Sequence, residues 1–265
     1  MTCSSTSDRK ASVVTYPSRR SERTVRTGFT LVEALVAMGI IAVLLALLLP
    51  ALGLIRTHAQ QLRSLSNLRQ IGQSTSMYTD SYGSYYYGTG GWIRRPPDPS
   101  PFAIGFSVWQ LDHNWPALIH DIAPWTDHYL VWVSPRTDPQ PWTELIRGPR
   151  GTNRLPVSYQ YSHSFVADPA VWSGRTNPID ESSIGPIRPS GVRYPSSKVL
   201  MFDADRSYLR EPQTFEDPRP LLFADGSARA ADEHEATTPV QNRLLPEQQP
   251  LLYHDTPEGV HGRDY

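Results

Sequence analysis

Glu33 is the one charged residue between Phe29 and Ile55. At mid-bilayer an ionised side chain costs about 2.5–3.5 kcal/mol. Near the edge of an apolar run the cost is lower, but the carboxylate still calls for a counter-charge, so its chemistry is ion pairing. An acid near the positive end of a helix macrodipole is a plainer role. That role does not account for its place in an otherwise apolar run. A second set of acids, Asp203, Asp205, Asp225 and Asp232, offers hard oxygen ligands of the kind calcium takes. Their spacing matches no defined calcium loop, and exposed turn acids are the simpler account. His113, His120 and His128, beside Asp112, Asp121 and Asp127, are spaced by seven and eight, which fits no zinc signature. Gly88-Thr89-Gly90-Gly91 lacks the Lys-Ser/Thr of a phosphate-cradling loop, and His234-Glu235 lacks the second His of a zincin. There is no Gly-x-Ser-x-Gly elbow. Nothing argues for catalysis, so the expectation is a protein that is not an enzyme.

Glu33 is positioned by a membrane-length element. From Phe29 to Leu49 a helix rises about 31 Å at 1.5 Å per residue, against a hydrocarbon core of about 30 Å. Pro50 then falls near the outer boundary, where it removes a helical hydrogen bond and favours a kink. Ahead of this span Arg9, Lys10, Arg19, Arg20, Arg23 and Arg26 face only Asp8 and Glu22, a net of +4. Positive flanking charge holds that end in the cytoplasm and sends the rest across. Residues 1–28 have no apolar periodicity and read as a disordered leader. An ordinary secretory signal cut at Ala51-Leu52-Gly53 is one alternative. Its apolar region spans only about 7–15 residues, shorter than this run. An uncleaved single-pass anchor is the other.

The run Gly28-Phe29-Thr30-Leu31-Val32-Glu33, followed by a long apolar helix, resembles the processing motif of type IV prepilins and type II secretion pseudopilins. Pro50 extends the match. The resemblance implies cleavage after Gly28 by a membrane-embedded prepilin peptidase, which also methylates the new amine of Phe29. Gly leaves the backbone open to a protease. Cleavage leaves a cationic amine that methylation keeps charged. Glu33 then neutralises an amine, its own or a neighbouring subunit's, during assembly. Such a pair sets register more than it adds stability. The implied partners are the peptidase/methyltransferase, other pilin-like subunits and the inner membrane. The implied assembly is a pilus or a secretion pseudopilus.

Beyond Ile55, Leu62, Leu65, Leu68 and Ile71 recur between polar residues, an amphipathic stripe. One helix is expected from about residue 30 to 78, bent near Pro50 and ending around Tyr82-Gly83. Asn67-Leu68-Arg69-Gln70-Ile71 resembles a bacterial prepilin-like subfamily. That subfamily also carries a His separated by nine residues from a C-terminal Asp-Gly. Here Asp225-Gly226 is present, but Phe215 holds the His position, so no role of that His carries over.

The organisation expected is a leader over 1–28, a helix over 29–82 with 29–52 in the membrane, a periplasmic or extracellular domain over 83–237 and an irregular or disordered tail over 238–265. The fold class is α+β and pilin-like, an antiparallel sheet packed on the outer half of the helix. Taking six basic and two acidic leader residues from 25 and 26 leaves 19 against 24, a net of −5. No basic patch suits nucleic acid. The single Cys, Cys3, lies in the leader, so no disulfide forms in the mature chain. Strands are expected at Ser107–Leu111, Tyr129–Val133, Val157–Tyr161, Lys198–Phe202 and Leu221–Ala224. Arg94 to Pro101 is expected to resist any regular element, and Asp225-Gly226 to turn after the final strand. Seven Trp and thirteen Tyr residues supply core area. The alternative function uses them as an aromatic-rich surface on a monomeric, membrane-anchored binding protein. Some pseudopilins hold calcium in a C-terminal loop, which is why Asp203, Asp205 and Asp225 stay candidates.

Overall fold

The computed structural model describes residues 28–95, 98–135, 155–173, 179–209 and 217–265. The leader, Phe215 and most of the Pro-rich stretch from Arg136 to Pro156 lie outside them. The chain falls into two compact units, Met1–Pro50 and Ala51–Tyr265. Helix α1, Leu31–Tyr82, contributes to both. It stops where the sequence indicates: Gly83 takes φ +73°, and its N–H reaches Thr79 O at 2.8 Å. An L side chain resists that backbone conformation, so Gly ends the helix.

In the first unit, α1 shows apolar side chains all round and none is buried. The best window has a mean hydropathy of 2.8, long and apolar enough to cross a membrane. A helix hydrophobic on every face needs an apolar environment.

The second unit is α+β with the pilin-like layout. The outer half of α1 buries Ser64, Leu65, Asn67, Leu68, Ile71, Thr75 and Tyr78. The expected stripe is corrected at Leu62, which is 66% exposed. A strict three-residue spacing drifts about 60° per step around a helix of 3.6 residues per turn, so Leu62 and Ile71 cannot share a face. Where α1 crosses the sheet, a Cβ on Gly72 would sit 3.0 Å from Leu222 Cδ1.

The sheet has four antiparallel strands in the order β3–β4–β5–β6: Tyr159–Tyr161, Val199–Asp203, Arg219–Phe223 and Ala228–Ala231. The first three match the expected positions near 157–161, 198–202 and 221–224. Asp225-Gly226 does turn the chain, with Gly226 at φ +82°, but β5 is not the last strand. The turn returns Ala228–Ala231 onto β5, although Ala-Arg-Ala-Ala has little strand propensity. Pairing against a buried neighbour decides it.

Three further expectations are corrected. Arg94 to Pro101 enters a hairpin of β1, Gly90–Arg95, and β2, Asp98–Gly105, with Pro96 and Pro97 outside the described residues. A two-stranded sheet leaves one edge of each strand unpaired, where a Pro costs no ladder bond. Ser107–Leu111 forms a 3₁₀ turn, Val108–Gln110, running into α2, Leu111–Asn114. Gln110 Oε1 caps Ser107 N–H at 3.0 Å, and Val108, Leu111 and Trp115 are buried at helical spacing. Tyr129–Val133 continues α3, Trp125–His128, as turns.

The aromatic residues are mostly core. Tyr85, Tyr86, Trp115, Trp125, Trp132, Tyr159 and Tyr161 are buried around one cluster. Among the described residues they form no aromatic surface. The tail from Thr238 is irregular but not loose, because Tyr253, His254, Asp255, Thr256, Val260 and Asp264 are buried.

Candidate functional site

Helix α1 begins with a reciprocal cap. Thr30 Oγ1 accepts the Glu33 N–H at 3.2 Å, and Glu33 Oε2 accepts the Thr30 N–H at 2.8 Å and its hydroxyl at 2.8 Å. This is a capping box, which satisfies two backbone donors that a helix start leaves open. The Thr-x-x-Glu signal was present in the sequence. Reading Glu33 for its charge alone missed Thr30. The cap folds the carboxylate back toward the chain start, one residue from Phe29. Phe29 is 76% exposed, and among the described residues beyond its chain neighbours nothing lies within 4 Å of a Cβ placed on Gly28. Pro50 occupies a helical position, and its side chain lies outside the described residues.

The second constellation joins the outer half of α1 to the sheet. Asn67 Nδ2 donates to Tyr159 Oη at 3.2 Å, which donates to Ser64 Oγ at 3.1 Å, which donates to Asp203 Oδ2 at 2.7 Å. Ser134 Oγ adds a donor to Oδ2 at 2.8 Å, and Arg206 N–H one to Oδ1 at 2.9 Å. Arg206 reaches that position at φ +42°, unusual for a residue with a side chain. Burial pushes the Asp203 carboxyl up, and the hydroxyl and amide donors only partly offset it. Asn67, Leu68 and Ile71 of the Asn-Leu-Arg-Gln-Ile segment all face this junction, so that segment is where the helix docks.

Residues 23–49 match the family model of the prokaryotic N-terminal methylation motif. The chain carries a type IV prepilin-like N-terminus. No curated protein and no solved structure matches the chain at a significant level. The motif is that of pilin-like structural subunits rather than enzymes. It implies processing by a prepilin peptidase and assembly with other pilin subunits. The apolar helix that carries this motif is consistent with a single-pass membrane anchor.

The remaining candidates are separated. Asp205 Oδ2 accepts Ser158 Oγ at 2.6 Å, beside the end of β4. Asp225 accepts Ser227 N–H at 2.9 Å in the β5–β6 turn. That turn follows Phe223, which pairs with Val199 at the start of β4, whereas Asp203 ends the strand. The domain therefore does not gather Asp203, Asp205 and Asp225. Asp232 caps the turn at Glu233–Glu235 through His234 N–H at 2.9 Å. Among the described residues no group of three or more His, Cys, Asp or Glu side chains could hold a metal ion. His113 lies beside Asp112 and Gln160, and His128 contacts Pro124 O within its own turn.

A buried ion pair has no signal in the sequence. Lys198 is fully buried, 3.1 Å from Asp264 Oδ2, and donates to Ser164 Oγ at 3.1 Å and to Thr256 Oγ1. Burial lowers the Lys198 amine, and Asp264 opposes the shift. Sixty-odd residues of chain separate the partners, beyond the reach of any local pattern.

Proposed function

We propose that this protein is a pilin-like or pseudopilin subunit, cut after Gly28, N-methylated at Phe29 and assembled through its N-terminal helix. The match over residues 23–49 carries the reading. The exposed apolar surface of α1 between Phe29 and Ile55 supports it. In this reading the leader stays in the cytoplasm, the helix is stored in the inner membrane, and the C-terminal domain lies outside. Glu33 then moves from neutral donors to a cation. In the uncut chain its carboxylate caps Thr30. After cleavage the Phe29 amine appears one residue away, and ion pairing offsets the burial of both charges when helices pack in a pilus or secretion pseudopilus.

Two measurements test the proposal. Mass spectrometry of the membrane-extracted protein should give an N-terminal N-methyl-Phe29. An N-terminus at Leu54 would mean ordinary signal cleavage. Glu33→Val should insert into the membrane normally and fail to enter filaments, and undiminished assembly would remove the role given to Glu33.

A further inference from the structure

On the second unit, the turn at Ser107–Gln110, α2, the turn at His163–Phe165 and the tail near residues 245–251 enclose a cleft of about 610 Å³. Ligand clefts commonly measure about 300–1,000 Å³. Trp109, Gln110, Asp112, His163, Gln248 and Gln249 supply its polar and aromatic lining.

The lining is built in. His254 Nδ1 accepts the His163 N–H at 3.2 Å, so the His254 proton sits on Nε2, 3.2 Å from Gln160 Oε1. The Gln160 amide nitrogen then faces His113 Nε2 at 3.1 Å, which must accept. That leaves the His113 proton on Nδ1, which lies 2.8 Å from Asp112 Oδ2 without being aligned to donate to it. His163 Nε2 lies 2.8 Å from Trp109 O, and the two rings meet edge to face at 5.6 Å and 81°. Gln110 is held by its bond to Ser107 N–H. One relay of groups therefore joins Trp109, His163, His254, Gln160 and His113, with Asp112 beside its end.

The composition selects a ligand. Among the described residues no Lys or Arg lines the cleft, and Asp112 is buried beside it, so an anion would find repulsion from that carboxylate. Leu245 and Leu251 share the lining with Ser107, three amides, a carboxylate and an imidazole, a mixed surface that leaves a lipid chain facing polar groups it cannot pair. Planar groups that pair donor with acceptor, beside an indole, suit a ring with hydroxyls on its rim and C–H bonds on its faces. We infer that this cleft binds a neutral, β-linked oligosaccharide, with one sugar face stacked on Trp109 and its hydroxyls on Asp112 and the Gln110, Gln248 and Gln249 amides. Binding does not depend on filament assembly, so the two readings fail separately.

Isothermal titration of the full chain in lipid nanodiscs, free of sugar detergents, tests this with cellohexaose and chitohexaose as probes. Saturable binding of either is expected, and Trp109→Ala should weaken it about tenfold. Gln248 and Gln249 are exposed, so the pair Gln248→Ala/Gln249→Ala should weaken binding without shifting the melting temperature. Absence of binding at millimolar probe would overturn the inference. So would unchanged affinity in the Gln248→Ala/Gln249→Ala pair, or tighter binding of a heparin hexasaccharide than of either neutral probe.

Discussion

Ser64, on the long helix, donates its hydroxyl to Asp203, on β4, across 2.7 Å, and both side chains are buried. This bond ties the outer half of α1 to the central strand of the domain. Removing one partner of a buried bond costs about 1–3 kcal/mol, more where a charge is stranded. Asp203→Ala leaves three neutral donors unpaired and should lower the domain's stability by about that amount, most clearly at low pH where the carboxyl is protonated, and Ser64→Ala by less. Urea unfolding monitored by Trp fluorescence reads both. Equal stability of Asp203→Ala and wild type would show that the network holds nothing.

The same carboxyl gives a pH dependence. Burial raises it, so the folded protein binds its proton more tightly than the unfolded chain does. Protonation therefore favours the folded state. As pH falls from the raised folded value toward the ordinary range near about 4, Asp203 adds stability, and above that window it contributes a penalty. Wild type should gain on Asp203→Asn through this window. A difference independent of pH would contradict the assignment.

Capping and charge at Glu33 are separable. Gln keeps the acceptor oxygen that caps Thr30 and loses the charge. Glu33→Gln should preserve the first helical turn in micelles, by amide NMR, and still fail to assemble. Thr30→Ala should do the reverse, fraying the turn by about 1 kcal/mol while leaving the carboxylate free to pair. If both variants assemble alike, the two roles are not distinct.

Gly91 meets the backbone. A Cβ there would lie 2.5 Å from Ala117 O, and backbone cannot swing aside. Gly91→Ala should cost about 1–3 kcal/mol as overpacking. Gly105→Ala on β2, with nothing within 4 Å, serves as the control. Thermal melts of the pair compare them directly.

Asp264→Ala would strand the buried Lys198 cation, a loss of about 3–5 kcal/mol. Lys198→Met in that background should recover much of it, since an apolar side chain of similar length then fills the site. Recovery is read by urea midpoint. A double variant no more stable than Asp264→Ala would mean the tail is held by its other bonds.

The membrane element was legible because hydropathy and the Gly28 to Glu33 run are local and strong. The end of helix α1 could be placed to within a few residues from Gly83, and its start from the Gly28 to Glu33 run. Strands β4 and β5 were legible as buried apolar runs, but Ser107–Leu111 and Tyr129–Val133 were not. Apolar residues spaced for a turn read as strand when the run is short, and only Gln110 and the Trp packing decide otherwise. β6 carries no strand signal and exists because a turn returns it to β5. Asp203 looked like a metal ligand because acids near a turn suit calcium. Its actual donors, Ser64 and Ser134, come from positions far away in the chain, which spacing along the sequence does not reveal.

The buried tail has a kinetic consequence. Its bonds run from Tyr253 to Ser162, from Asp255 to Trp172 and from Asp264 to Lys198, all between segments far apart in sequence. Closing such loops costs entropy before any contact rewards it, and folding slows as contacts become less local. The helix can form early, but the C-terminal domain must wait for its last segment to find the sheet. Until then Lys198 has no carboxylate, and that waiting interval is when the chain is most open to proteolysis.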